Sequence, residues 1–132
     1  MMTKPGLTIF AAIAFSCLAL PAVAADRMRP GQWVGTTVAG GRTFPTSSCI
    51  AQSDADAMNG DAAAVAAYLA KTIPPEVCKI SDVKAQGTQV VYTASCGKLP
   101  PKIVTTSYQG DSSAGSDNTG STTTAKLVGP CK

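Results

Sequence analysis

Few side chains in this sequence are of types that do chemistry. Histidine is absent from its 132 residues, and there are five cysteines. Four of these, Cys49, Cys78, Cys96 and Cys131, stand 29, 18 and 35 positions apart. An even set of cysteines in a short chain is the pattern of a disulfide framework formed in an oxidising compartment. Zinc sites usually contain a close pair such as Cys-x-x-Cys, and dithiol redox catalysts use that pair to lower a thiol pKa. No such pair occurs, so the thiols are expected to be structural.

The lack of histidine removes Ser-His-Asp and Cys-His nucleophiles and histidine-ligated metals. Glu76 is the only glutamate and follows two prolines, where a surface turn is expected. Asp54 and Asp56 are two positions apart, a spacing at which a helix points them away from each other. Asp54 to Gly60 distantly resembles a calcium loop, but its glycine comes one position late and its twelfth position is Val65 where a bidentate glutamate is needed. Asp111 to Gly120 is oxygen-rich and reads as a solvated turn. No glycine-rich phosphate loop is present. These residues give no catalytic, cofactor-binding or metal-ligating set. An unrecognised enzyme would require at least two of Asp82, Asp111, Asp117, Glu76 or the tyrosines to converge in one pocket. Trp33 is expected to anchor a core, with ligand stacking as its alternative role. The hydroxyl runs Thr105 to Ser107 and Ser121 to Thr124 suit exposed strand faces, or display to a glycan or another chain.

The elements that would position these groups are mainly strands. After the Arg29-Pro30-Gly31 turn, Gln32 to Val38 alternates in polarity, and Ala39 to Arg42 is hairpin material. Thr43 to Ile50 follows as a second strand, placed at a sheet edge by Pro45. Ser53 to Ala57 reads as a capped helical turn stopped by Asn59-Gly60. Asp61 then caps a helix from Ala62 to Thr72, with Val65, Tyr68, Leu69 and Ile73 on one apolar face. Pro74-Pro75 end it.

Cys78 to Ala85 and Thr88 to Cys96 form the next hairpin. A three-residue turn, Gln86 to Thr88, sets Ala85 against Gln89, and that register carried back sets Cys78 against Cys96, within disulfide reach. A two-residue turn would spoil the registry. The first scheme leaves Cys49–Cys131; the competing one is Cys49–Cys78 with Cys96–Cys131. Lys102 to Gln109 and Thr122 to Val128 read as further strands. Between them, Gly110 to Ser121 is turn-rich, with room for one short strand.

Residues 1–24 read as a secretory signal peptide. One lysine, Lys4, precedes an apolar run from Leu7 to Leu20 that contains Cys17, and the run ends at Pro21-Ala22-Val23-Ala24. The expected cut lies between Ala24 and Ala25. It leaves residues 25–132 as one disulfide-stapled domain without a stable membrane anchor, since a spanning helix needs roughly 20 apolar residues. Loss of Lys4 takes the formal net charge from +3 to +2, too mild to argue for nucleic acid. The large aromatics left are Trp33, Phe44, Tyr68, Tyr92 and Tyr108, a thin core in need of staples.

Several segments together resemble the bacterial domain of unknown function 3617. Met28-Arg29-Pro30-Gly31-Gln32-Trp33 resembles the family's kPGlWe opening, and Cys49 to Ala55 its cysteine-to-Asp-Ala segment. Cys78 to Gly87 running on to Ser95-Cys96 is the nearest match, with Tyr108 to Ser112 and Leu127 to Cys131 completing it. Gln32 and Val34 depart from the commoner Leu and Glu, and the Asp111 to Ser121 stretch is short. The resemblance implies export and supplies no activity and no catalytic residues.

The expected architecture is mainly β or α+β, a curved antiparallel meander of about five to seven strands with one inserted helix. The expected function is that of a periplasmic or secreted, non-enzymatic binding or envelope accessory module, whose partner is a small ligand or an envelope protein. The alternatives are an enzyme using carboxylates or hydroxyls in a sheet pocket, and a purely structural or stress-related envelope protein.

Overall fold

The computed structural model describes residues 26–132. The signal peptide expected over residues 1–24, with Cys17, and the expected Ala24–Ala25 cut therefore lie outside the described residues. The chain runs β1 (Gly31–Ala39), β2 (Arg42–Ile50), α1 (Gln52–Met58), α2 (Ala62–Thr72), β3 (Lys79–Gln86), β4 (Gln89–Ser95), β5 (Lys102–Tyr108), β6 (Ser112–Asp117) and β7 (Thr122–Gly129). All seven strands form one unclosed antiparallel sheet in the order β2-β1-β7-β6-β5-β4-β3. The two helices carry the chain from one edge strand, β2, to the other, β3.

Local chemistry explains the elements. Gly40 and Gly41 both take positive φ and make the tight turn between β1 and β2. Pro45 lies on β2, an edge strand, where its missing N–H costs no ladder bond. The Asp61 side chain accepts from the Ala64 N–H at 2.9 Å and starts α2, which buries Val65 and Leu69. Two helices are present among the described residues, rather than one helix and a turn. The seven-residue α1 has Ala51 at its N-cap position with no side-chain cap, so Ser53 is inside the helix and not its cap.

The β3–β4 hairpin corrects the expected turn. Its loop has two residues, Gly87 and Thr88, because Gln86 faces Gln89 and Ala85 faces Val90. That register alone would leave Cys78 and Cys96 out of step. A bulge restores it: Lys84 faces Val91 but Ser81 faces Thr93, so Asp82 and Val83 together oppose Tyr92. Asp82 takes φ 53° there, the only non-glycine residue at positive φ among those described. Lys79 then faces Ser95, and the next pair outward is Cys78 with Cys96, disulfide-bonded at a Cα separation of 4.1 Å. The second bridge joins Cys49 and Cys131. Cys49 and Gly129 both pair with Gln32, so this bridge ties edge strand β2 to the tail after β7, on either side of β1.

The core is divided. Met58, Val65, Leu69 and Val90 form one buried cluster, and Trp33, Ile50 and Ala55 form another. Met28 packs against both. Both clusters join the helices to the same face of the sheet, and they fill only part of it.

Candidate functional site

Alternation along each strand decides which side chains share the helix-bearing face. From β1 these are Trp33 and Thr37, from β7 Leu127, Ala125 and Thr123, and from β6 Ser113 and Gly115, as the strand pairings require. From β5 they are Tyr108, Thr106 and Val104, and from β4 Val90 and Tyr92. The sheet curls around this face and leaves a cavity of about 490 Å³ between strands and helices. That volume falls within the usual range for small-molecule sites.

The lining is graded. At the helix end Trp33, Ile50, Met58, Leu69 and Met28 present apolar surface. Trp33 is buried, and its indole N–H donates to the Arg29 carbonyl at 2.9 Å, so it serves the core and the cavity wall together. At the opposite end the walls carry Thr37, Thr123, Ser121 and Thr106, with Lys102 and Asp117. Thr37 and Thr123 share a hydroxyl hydrogen bond at 3.0 Å across the β1–β7 pair. Three of the seven residues in the hydroxyl runs expected on exposed faces, Thr106, Ser121 and Thr123, thus turn inward. Alternation puts one residue in two on this side, which the runs alone could not disclose.

All three tyrosines of the chain, Tyr68, Tyr92 and Tyr108, line the cavity. Burial raises the pKa of each. Tyr108 is pushed up to about 12, first by burial and then by the neighbouring Tyr92 and Tyr68, against smaller opposing effects of the Thr106 hydroxyl and the Arg27 charge. At neutral pH these are un-ionised phenols, able to donate a hydrogen bond and poorly suited to act as bases.

Of the acids named as possible partners, only Asp117 joins the tyrosines. Its Oδ1 accepts from the Thr119 hydroxyl and from the N–H groups of Thr119 at 2.8 Å and Ser121 at 3.2 Å. The Thr119 hydroxyl bond is the main reason its pKa is lowered, and Lys102 adds in the same direction. A carboxylate so engaged holds the β6–β7 turn and is a weak proton acceptor. Glu76, Asp82 and Asp111 are exposed and do not line the cavity. Asp56 is also exposed, and its carboxylate accepts from Gln52. Asp54 pairs with Lys71 at 3.2 Å.

Sequence reasoning missed the buried polar clip behind the cavity. Arg27 is 3% exposed and donates from Nε to Gly87 O at 2.8 Å, and from Nη1 to Met58 O at 2.9 Å and Gly60 O at 2.7 Å. The Asn59 side chain accepts from the Arg27 and Met28 N–H groups at 2.7 and 2.8 Å and donates to Met28 O at 2.8 Å. The clip fixes Met28 against both clusters and seats a cation at the carbonyl end of α1. No spacing rule marks such an arginine; only the Asn-Gly helix stop pointed to the location.

On the convex face, Val34, Thr36, Lys126 and Val128 border a shallower depression, with Val34 and Val128 exposed. No helix among the described residues is long and apolar enough to cross a membrane. The two disulfides suggest an oxidising, extracytoplasmic compartment.

Fold and site define a class: a disulfide-braced, curled antiparallel sheet holding a ligand-sized cavity under a pair of helices. Within that class, the chain belongs to the family of proteins of unknown function DUF3617, whose model matches residues 28–131. Searches of curated proteins and of solved structures returned no match to this chain.

Proposed function

We propose that this protein is an exported, periplasmic, non-enzymatic binding module that takes a small ligand into the concave cavity. The observation that carries the reading is the cavity itself, about 490 Å³, apolar at the helix end and hydroxyl-lined at the other. A protein with a thin core would gain stability by closing this space; leaving it open suits a ligand. Support for export comes from the signal-like residues 1–24 and from the two disulfides.

The test is native mass spectrometry of protein purified from the periplasm, beside a Ser113→Phe variant that fills the middle of the cavity. A discrete bound mass is expected on the native protein and absent from the variant. A bare native protein from every extract, with the variant indistinguishable from it, would leave only the structural alternative.

One observation favours a second reading, that of an enzyme: Asp117 and three tyrosines do converge on one pocket. The raised phenol pKa values and the engaged Asp117 carboxylate weigh against it. Covalent turnover of a co-purified ligand, lost in Tyr108→Phe without loss of binding, would move the assignment to catalysis.

A further inference from the structure

The polarity of the cavity narrows the class of ligand, given the binding reading above. Its only lysine, arginine or carboxylate side chains among the described residues are Lys102 and Asp117, one of each sign. They stand on adjacent strands at the hydroxyl end: Asp117 pairs with Val104, two positions from Lys102, and Lys102 helps keep Asp117 ionised. Together they leave that end without net charge. Neither the apolar end nor the tyrosine-lined middle supplies a counter-ion, and the buried Arg27 guanidinium is occupied by three backbone carbonyls. A ligand with a net charge would give up hydration there with no unopposed partner. The hydroxyls of Thr37, Thr106, Ser121 and Thr123 both donate and accept, as do neutral phenols. They suit hydroxyl, ester or ether groups.

We infer that the ligand is an uncharged amphiphile, its apolar body against Trp33, Met58 and Leu69 and a hydroxyl- or ester-bearing head among the threonines beside Lys102 and Asp117. Tyr108 lies in the cross-strand row between Trp33 and the Thr37–Thr123 pair, and Tyr92 is level with Asp117, so the two ends adjoin in one cavity and one molecule can satisfy both.

The test uses three probes with the same ten-carbon chain and different heads: monodecanoylglycerol, decanoate and decyltrimethylammonium, each below its micellar concentration. Trp33 is the only tryptophan of the chain and lines the apolar end, so its emission reports seating of the chain. Monodecanoylglycerol should shift that emission and bind at least about tenfold more tightly than either ion. Ser113→Phe and Thr123→Phe, each checked for an unchanged circular dichroism spectrum, should weaken it by a similar factor. Asp117→Asn should favour decanoate several-fold, and Lys102→Ala should favour decyltrimethylammonium, because each leaves one charge unopposed. Equal or tighter binding of an ion to the native protein overturns the charge selectivity and leaves the binding reading intact. Failure of all three probes to shift Trp33 overturns the amphiphile class, while a co-purified mass in the experiment above would still stand for binding.

Discussion

Arg27 and Asn59 hold one turn from two directions. The Arg27 backbone N–H donates to Asn59 Oδ1 at 2.7 Å, while the Arg27 guanidinium donates to the carbonyls of Met58 and Gly60 on either side of Asn59. The N-terminal segment is thereby locked to the α1–α2 junction, with Met28 set between the two buried clusters. This lock lets a thin core close at one end of the sheet while the other stays open.

The lock makes a stability prediction. Asn59→Ala leaves two N–H groups and one carbonyl without their partner, and should cost about 3 kcal/mol, the low end of roughly 1–3 kcal/mol for each of three part-buried groups. Asn59→Asp keeps the acceptor but turns a donor into an oxygen facing the Met28 carbonyl, and should cost less than the alanine variant. Urea unfolding of the three proteins measures both; an Asn59→Ala midpoint equal to the native one would show that water replaces the clip.

The disulfides should contribute unequally. Cys49–Cys131 closes a sequence separation of 82 residues and Cys78–Cys96 one of 18. On the chain-entropy model these correspond to about 4.5 and about 3 kcal/mol. Paired Cys→Ala variants compared by thermal unfolding should show the larger loss for Cys49 and Cys131. The reverse order would mean that strain or residual unfolded structure outweighs loop length.

The bulge and the shorter bridge are one device. Deleting Asp82 removes the extra residue, so Val83 should face Tyr92, Ser81 should still face Thr93, and Cys78 should stay opposite Cys96. Deleting Val83 as well should set Cys78 one residue out of step. Peptide mapping should find the Cys78–Cys96 bridge in the single deletion and slow or scrambled oxidation of that pair in the double deletion. Asp82→Gly, by contrast, suits the left-handed backbone and should leave stability equal or raised by up to about 1 kcal/mol. Asp82→Val should lower it by about 1–2 kcal/mol.

Much of this architecture was legible before any coordinates. Alternation in Gln32 to Val38, the edge proline Pro45, the Asp61 cap and the Pro74-Pro75 stop each act locally, so local chemistry identified them. The disulfide registry was reached through the wrong turn. Gln86-Gly87 invited a three-residue loop, whereas the chain uses two residues there and corrects the register at Asp82, an aspartate in a lysine-flanked strand with no bulge signature. The cavity was hidden for a different reason. It depends on how far the sheet curls and on the hydroxyls that the strand pairing turns inward, and both are set by contacts far apart in sequence. Arg27 carries no local signal because it lies just after the signal-like residues 1–24 and belongs to no periodic pattern.

The tyrosines give a pH prediction. Each has its pKa raised, Tyr108 to about 12, against an ordinary value of about 10. The neutral form is therefore favoured in the folded state. Stability from this source is complete below pH about 10, and it is lost as pH rises from there through about 12, because the unfolded chain ionises first. Phenolate absorbance at alkaline pH should lag behind that of the urea-unfolded protein and rise together with loss of tertiary structure. A tyrosine titrating normally in the native protein would mean that the cavity admits water freely to its ring.

The most direct test of the cavity as the binding site is a heteronuclear NMR titration of the oxidised protein with monodecanoylglycerol. The expected result is a set of saturable shifts at the Trp33 indole N–H and at the backbone amides of Ser113, Gly115, Thr123 and Tyr108, with Val34, Lys126 and Val128 unmoved. Shifts confined to Val34, Lys126 and Val128 would place binding on the convex face and contradict the account.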